Sequence, residues 1–211
     1  MTDTARTVAG HLLQSKAIIL EPSKPFTWAS GWISPVYCDN RITLSYPRIR
    51  DYIRDTFVDT ILREFGEPGL IAGVATGAIA QGALVADRMG LPFAYVRPSA
   101  KDHGRQNLVE GRITPGDRVV VVEDLVSTGG SSLRAVGAIR ELGARVLGMA
   151  AIFSYGFGTA AEQFDEAGVE LVTLTDYETM VGMAIETGYI TGKEAEILQQ
   201  WRKDPAGWNK K

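Results

Sequence analysis

Cysteine is almost missing from this 211-residue chain: Cys38 stands alone, so no intrachain disulfide can form, and such thiol usage fits a reducing compartment. Long apolar runs are missing too. The nearest candidate, Gly69 to Ala86, is uncharged over eighteen residues, but Gly73, Thr76, Gly77, Gln81 and Gly82 dilute it below what a membrane helix needs. The opening MTDTARTVAG lacks the apolar centre of a secretory signal, so a cytoplasmic protein without membrane attachment is expected. Positive charge is in short supply, with 22 Lys and Arg against 25 Asp and Glu, and a net charge of −3 argues against broad binding to nucleic acid. Internal repeats and low-complexity tracts are absent. What remains, 45% hydrophobic and 22% charged, is ordinary for a globular chain long enough to bury one substantial core.

The stretch that organises the rest is VVVVEDLVSTGGSS, Val119 to Ser132. Four valines are too few for an independent helix and too β-branched to prefer one, so they predict a central strand buried on both faces of a parallel sheet. Glu123 and Asp124 come next, then a turn of Ser127, Thr128, Gly129, Gly130 and Ser131. A helical pattern follows at Leu133, Val136, Ile139 and Leu142. A small-residue turn opening a helix leaves backbone N–H groups free, and with the helix dipole these make a phosphate site. Two carboxylates beside a phosphate would be repelled unless the same ligand also offers hydroxyls to them. A phosphorylated sugar meets both demands. Neither GxxxxGK[ST] nor GxGxxG occurs in this stretch, which weakens ATP and dinucleotide readings.

Along the chain, Val8, Leu12 and Leu13 mark one side of a short helix over Thr4 to Ala17, and Ala17 to Leu20 predicts a strand. Phe26, Trp28, Trp32 and Tyr37, interrupted by Ser30-Gly31 and Ser34-Pro35, predict a hairpin-like flap outside the main sheet. Ile49, Ile53, Phe57 and Ile61 recur at spacing four after Ser45 and Pro47, a helix that should lie on the sheet. Core strands are predicted at Leu70 to Val74, Phe93 to Val96, Arg145 to Phe153 and Val169 to Leu174. Helices are predicted at Ala80 to Met89, Thr159 to Ala167, Tyr177 to Thr187 and Gly192 to Lys203. Such alternation implies a parallel α/β sheet with right-handed crossovers, whose ligands bind at the carboxyl ends of the strands, where Thr76, Arg97 and Glu123 fall. Between the strands, Arg97 to Arg112 is polar and aperiodic. It gathers Arg97, Lys101, His103 and Arg105 around Gly104, as a functional loop would.

An apolar strand, two acids and a Thr-Gly-Gly turn resemble the phosphoribosyl pyrophosphate motif of the type I phosphoribosyltransferases. FTWASGWISPVYCDNR, VRPSAKDHG and LTDY are similar to the orotate-using branch of that family, and the likeness covers nearly the whole chain. It implies an α/β fold with a central parallel sheet flanked by helices. It also implies a single domain over residues 1–211, with a hood from about 1–45 completed by the C-terminal helices and a core at about 46–176. The implied reaction is magnesium-dependent transfer of a 5-phosphoribosyl group from phosphoribosyl pyrophosphate to orotate. By the same resemblance, Glu123 and Asp124 face the ribose hydroxyls and Leu125, Val126, Ser127, Thr128, Gly129, Gly130 and Ser131 form the phosphate turn. Arg97, Lys101 and His103 meet the pyrophosphate, with Lys101, His103 and Asp124 in the catalytic roles. Tyr37, Cys38 and Ser127 lie against orotate. Magnesium would be held mainly by the substrate's oxygens, and the partner is a second copy, in a homodimer with shared sites. Against the best known bacterial pattern of the family, this chain has Ala29, Gly77 and Pro98 in place of lysines and Tyr155 in place of a base-contacting arginine, departures that a subgroup with FTW and CDNR motifs shares. Two alternatives are a purine-type phosphoribosyltransferase, which would share Glu123 to Ser131, and a regulatory nucleic-acid-binding protein on the same fold. The second would need a basic face or an added domain.

Overall fold

A computed structural model of the chain describes residues 3–28, 30–99 and 108–208. Helix α1, Asp3–Gln14, leads into strand β1, Ile18–Leu20, and then into a hairpin of β2, Phe26–Thr27, and β3, Ile33–Ser34. Strand β4, Val36–Cys38, turns back to run antiparallel to β1, so both small sheets stand apart from the main one. A 3-10 turn at Asn40–Ser45, which the sequence pattern did not announce, connects to α2, Pro47–Phe65. Then come β5, Leu70–Val74; α3, Ile79–Met89; β6, Phe93–Val96; β7, Val109–Glu110; β8, Arg118–Val126; and α4, Gly130–Glu141. The chain continues with β9, Arg145–Ser154; α5, Gly158–Glu166; β10, Leu171–Asp176; α6, Tyr177–Glu186; and α7, Gly192–Lys203.

Six strands form the main sheet in the order β10-β9-β8-β5-β6-β7, with β7 antiparallel to β6 and the other pairings parallel. The four valines lie in β8, next to β5 at the middle of the sheet, with no surface left to solvent. Burying each stabilises the fold by roughly 1.5–3 kcal/mol. The pleat divides them. Val120 and Val122 join Ile71, Ala150 and Ile152 in a core with α1, α2, α3, α6 and α7. Val119 and Val121 join Leu70, Ala72 and Met149 in a second core under α4 and α5. The predicted spacing in α2 is realised, with Ile49, Ile53, Phe57 and Ile61 all buried. Thr191 and Glu194 form a capping box on α7, and Gly188, at φ +70°, follows the end of α6.

Several predicted boundaries shift, the first helix to Asp3–Gln14 and the last strand to Leu171–Asp176 among them, and two further shifts bear on the site. The central strand does not end at Val122 but continues to Val126, because β9 extends alongside it and keeps the ladder paired as far as Val126 and Ser154. Glu123 and Asp124 are therefore strand residues. The polar segment 97–112 is not loop throughout, since Val109–Glu110 returns to the sheet edge as β7 and the Arg97 N–H donates to the Leu108 carbonyl. No helix among the described residues is long and apolar enough to cross a membrane.

Candidate active site

The pairing of β5 with β8 ends at Gly73 and Val122, because β5 turns away through Ala75–Ala78 while β8 runs on. Beyond Val122, one edge of β8 thus has no neighbouring strand at the carboxyl end of the sheet. The strand order also reverses direction between β5 and β8, the place where open α/β sheets bind ligands. Glu123 and Asp124 lie at this opened edge.

Glu123 is only 4% exposed, and its two oxygens are used: Oε1 accepts from the Asp124 N–H at 3.0 Å and Oε2 from the Ser132 hydroxyl at 2.9 Å. Desolvation first, and then the Asp124 charge, hold its carboxyl well above the usual carboxylate range. Burial also raises Asp124, against the lowering influence of its hydrogen bonds and of Arg41. Charge on this pair is costly until something shares it. The Asp124 carboxylate lies directly on Gly77, where a side chain's first carbon would fall 2.1 Å from Oδ2. The Ala75–Thr76 peptide just before it is cis.

After the acids, Leu125 and Val126 send their side chains into the two cores, leaving only their backbone to a ligand. Ser127 is half-buried and Thr128 and Ser131 are exposed. Gly129 caps α4 at φ +91°, a conformation that favours glycine, and a side chain there would come within 3.0 Å of the Phe164 ring. Among the described residues, no side chain caps α4, so its first N–H groups face the turn. Arg97 and Ser131, far apart in sequence, line one small cavity of about 50 Å³ together with Ala75 and Arg134. The Arg97 guanidinium sits 3.7 Å from Glu110. Lys101 and His103 lie outside the described residues, as does Ala29.

On the other wall, Tyr37 is 39% exposed beside the Phe26 ring, and the half-buried Cys38 thiol donates to Asn40 Oδ1 at 3.5 Å. Burial pushes that thiol's pKa well up, with Asp124 and Asp39 adding to the rise, so the flap and the acid pair are within electrostatic reach. Tyr155 does not offer its ring to this space. It is 1% exposed, stacked on Phe157 at 5.4 Å and surrounded by Trp28, Phe153, Tyr177 and Trp201. Its backbone is shared between two neighbours: the N–H donates to Val126, and the carbonyl accepts from Arg202 Nε at 3.1 Å. Trp201 donates its indole N–H to the Ile33 carbonyl at 3.2 Å, which fastens the flap to α7. A groove of about 970 Å³ runs from Thr128 and Gly156 past Trp32 and Phe157 to Ile185 and Lys203. It reaches the turn at Thr128, and neither acid lines it.

Sequence reasoning missed Asn40, Arg41, Ser132 and the role of Gly77. Asn40, 2% exposed, donates from Nδ2 to the Asp124 carbonyl at 2.6 Å. Arg41 grips Asp39 through two hydrogen bonds of 2.7 and 2.8 Å, and this raises its guanidinium pKa, with Asp124 contributing. A run of CDNR beside a proline could have drawn attention to the polar cluster, but not to what it touches.

The arrangement sets two largely buried carboxylates just ahead of a helix start that carries no side-chain cap. The family described as "Phosphoribosyl transferase domain" matches residues 44–186. The orotate phosphoribosyltransferase of Bacteroides thetaiotaomicron is 57% identical over 209 residues, 99% of each chain, and that of Porphyromonas gingivalis is 56% identical over 208 residues, again 99% of each. Among solved structures, the orotate phosphoribosyltransferase from Aeropyrum pernix superposes with a TM-score of 0.75 at 30% identity, over 87% of this chain and 99% of that one.

Proposed function

The chain belongs to the phosphoribosyltransferase family, and from that premise we propose how its residues divide the work of the reaction. That reaction transfers the 5-phosphoribosyl group from phosphoribosyl pyrophosphate to orotate, giving orotidine 5′-monophosphate and pyrophosphate, a step of pyrimidine biosynthesis. The bond from ribose C1 to the diphosphate breaks and a bond to a ring nitrogen forms, so positive charge grows on the ribose and negative charge on the leaving group.

The observation that carries the division of roles is the acid pair at the opened edge of β8, one turn ahead of a helix start without a side-chain cap. Glu123 and Asp124 accept from the ribose hydroxyls, and backbone N–H groups of Ser127 to Ser131 hold the 5-phosphate. The ligand's hydroxyls and the positive charge growing on the ribose offset what makes the empty pair costly to ionise. Arg97 reaches the diphosphate from the end of β6, and Lys101 and His103 complete that cationic side, excluding water when they close. Tyr37, Cys38 and Ser127 bound the base. Glu123 and Asp124 are hard oxygen donors of the kind magnesium takes, and among the described residues no three acidic, His or Cys side chains cluster as a cage. They would suit an ion held mainly by the oxygens of its diphosphate, and such an ion would supply positive charge to neutralise the leaving group. We read the chain as one cytoplasmic domain, a core with a hood, working as a homodimer whose basic segment serves the neighbouring site.

Incubation of the purified protein with phosphoribosyl pyrophosphate, magnesium and one base at a time tests the reading. Orotate should be consumed with release of pyrophosphate, and adenine, guanine and hypoxanthine should not. Comparable turnover of any purine would assign the site to a purine enzyme instead.

A further inference from the structure

Past Val122, strand β8 keeps its ladder with β9 through Glu123, Leu125 and Val126, whereas on the side vacated by β5 its main chain has lost its neighbour. In a parallel ladder, a residue's N–H and carbonyl point to the same side, and sides alternate along the strand. Asp124 therefore turns both backbone groups toward the vacated side, where an unmet buried carbonyl would cost about 1–3 kcal/mol. The N–H is met by the Glu123 side chain at 3.0 Å and the carbonyl by Asn40 at 2.6 Å. Asn40 does for this one residue what a strand would have done.

Asn40 is itself held from several directions. Its backbone carbonyl accepts from the buried Thr43 hydroxyl at 2.6 Å, and its Oδ1 accepts from the Cys38 thiol at 3.5 Å. With Oδ1 occupied by a donor, the amide can present only its NH₂ to Asp124, which fixes its orientation. The side chain thus links the flap, through Cys38, to the acid pair, across 84 residues of sequence.

We infer that Asn40 is a positioning residue for the phosphoribosyl transfer: it fixes the main chain of Asp124, and through it the direction of that carboxylate, and keeps the flap in register with the acids. This rests on the activity stated above. Asn40 acts through Asp124, and nothing requires it to touch a substrate.

Two substitutions separate positioning from plain structural support. Asn40→Ala removes the donor at every pH. Asn40→Asp keeps the shape but replaces the donor by a carboxyl that can donate to the Asp124 carbonyl only while protonated. The groups facing that position are the Cys38 thiol, Asp39 and Arg41 from the flap side and Glu123 and Asp124 from β8. Burial at this 2% exposed position, beside three acidic groups and one guanidinium, favours the protonated form of a carboxyl placed there.

The measurement is kcat and KM for phosphoribosyl pyrophosphate and for orotate from pH 5.5 to 9, with melting temperatures alongside. Near pH 8, kcat/KM for phosphoribosyl pyrophosphate should fall about 10- to 100-fold in both variants, the size expected when a binding group moves by about 1 Å. As pH falls, the ratio of Asn40→Asp to wild type should climb toward one while the Asn40→Ala ratio stays flat. If Asn40→Ala does not fold, Asn40→Ser, whose hydroxyl stops short of the carbonyl, takes its place. Unchanged kinetics in these variants overturn the inference, as do losses that follow melting temperature alone with no pH-dependent recovery. Wild-type turnover of orotate is the control: if that is missing, it is the assigned activity that fails and not the role of Asn40.

Discussion

Placing a methyl group at Gly77 is the most direct test of how the acid pair is seated. An ideal Cβ there would lie 2.1 Å from Asp124 Oδ2, 2.3 Å from Cγ and 2.5 Å from Oδ1, against ordinary contacts of 3.4–4 Å. The carboxylate must therefore retreat by more than 1 Å in Gly77→Ala. Because Asn40 and Glu123 hold the Asp124 backbone, the retreat has to come from rotation of the side chain, at a cost of about 0.5–1.5 kcal/mol. Stability should fall by no more than that, whereas a misplacement of this size should lower kcat/KM for phosphoribosyl pyrophosphate about 100-fold. The assay is orotate turnover with a radiolabelled base, sensitive enough for residual rates, in wild type, Gly77→Ala, Asp124→Ala and the double variant. With no carboxylate to displace, Gly77→Ala should add little in the Asp124→Ala background, so the two losses should be far from additive. Full additivity, or an undiminished rate in Gly77→Ala, would refute the reasoning. In this conformation the Asp124 carboxylate occupies the space that a side chain at position 77 would need.

Glu123 should show an inverse relation between stability and function. Its carboxyl is held above the usual range by burial, so the folded state binds its proton more tightly than the unfolded chain does. The stability it contributes is fully present below the unfolded value of about 4.3 and is lost as pH rises through the raised folded value. Glu123→Gln, neutral throughout, should melt close to wild type near pH 4 and above it near pH 8, while phosphoribosyl pyrophosphate binding weakens. A melting advantage that shrinks with rising pH would contradict this. Sharing of sites between subunits is tested by mixing a Lys101→Ala chain with an Asp124→Asn chain after dissociation. Half the reassorted dimers are hetero and each has one intact site, so roughly a quarter of wild-type activity should return. Demonstrated exchange without recovery would mean that each basic segment serves its own site.

What the sequence made legible was what depends on near neighbours. Valines 119–122 announce a buried central strand because β-branched residues without polar interruption have few other stable places, and the α2 apolar spacing maps directly onto its buried face. The acids and the glycine turn were legible as chemistry, since carboxylates beside a phosphate turn require an unusual ligand. The seating of the acids was not. That Glu123 and Asp124 lie within a strand depends on how far β9 extends, and that Asp124 needs Asn40 depends on where β5 stops. Neither fact is local. Gly77 looked like any turn glycine, because what it makes room for is a side chain from another strand. Tyr155 stands just past the strand predicted at Arg145 to Phe153, but its burial among Trp28, Phe157 and Trp201 joins three separate parts of the chain.

The bond from Trp201 to the Ile33 carbonyl spans 168 residues. At cellular rates of chain growth of about 5–20 residues per second, that interval lasts on the order of ten seconds or more. Throughout it the flap lacks the bond to Trp201 and the ring contact of Trp28 with it, although Trp28 and Trp32 can meet Tyr155 and Phe157 as soon as those are made. The sheet and its phosphate turn can form earlier. A chain halted before Trp201 would therefore carry the means to grip a sugar phosphate but no fastened wall beside it. In this fold, the flap is fastened to α7 by an indole made long after it.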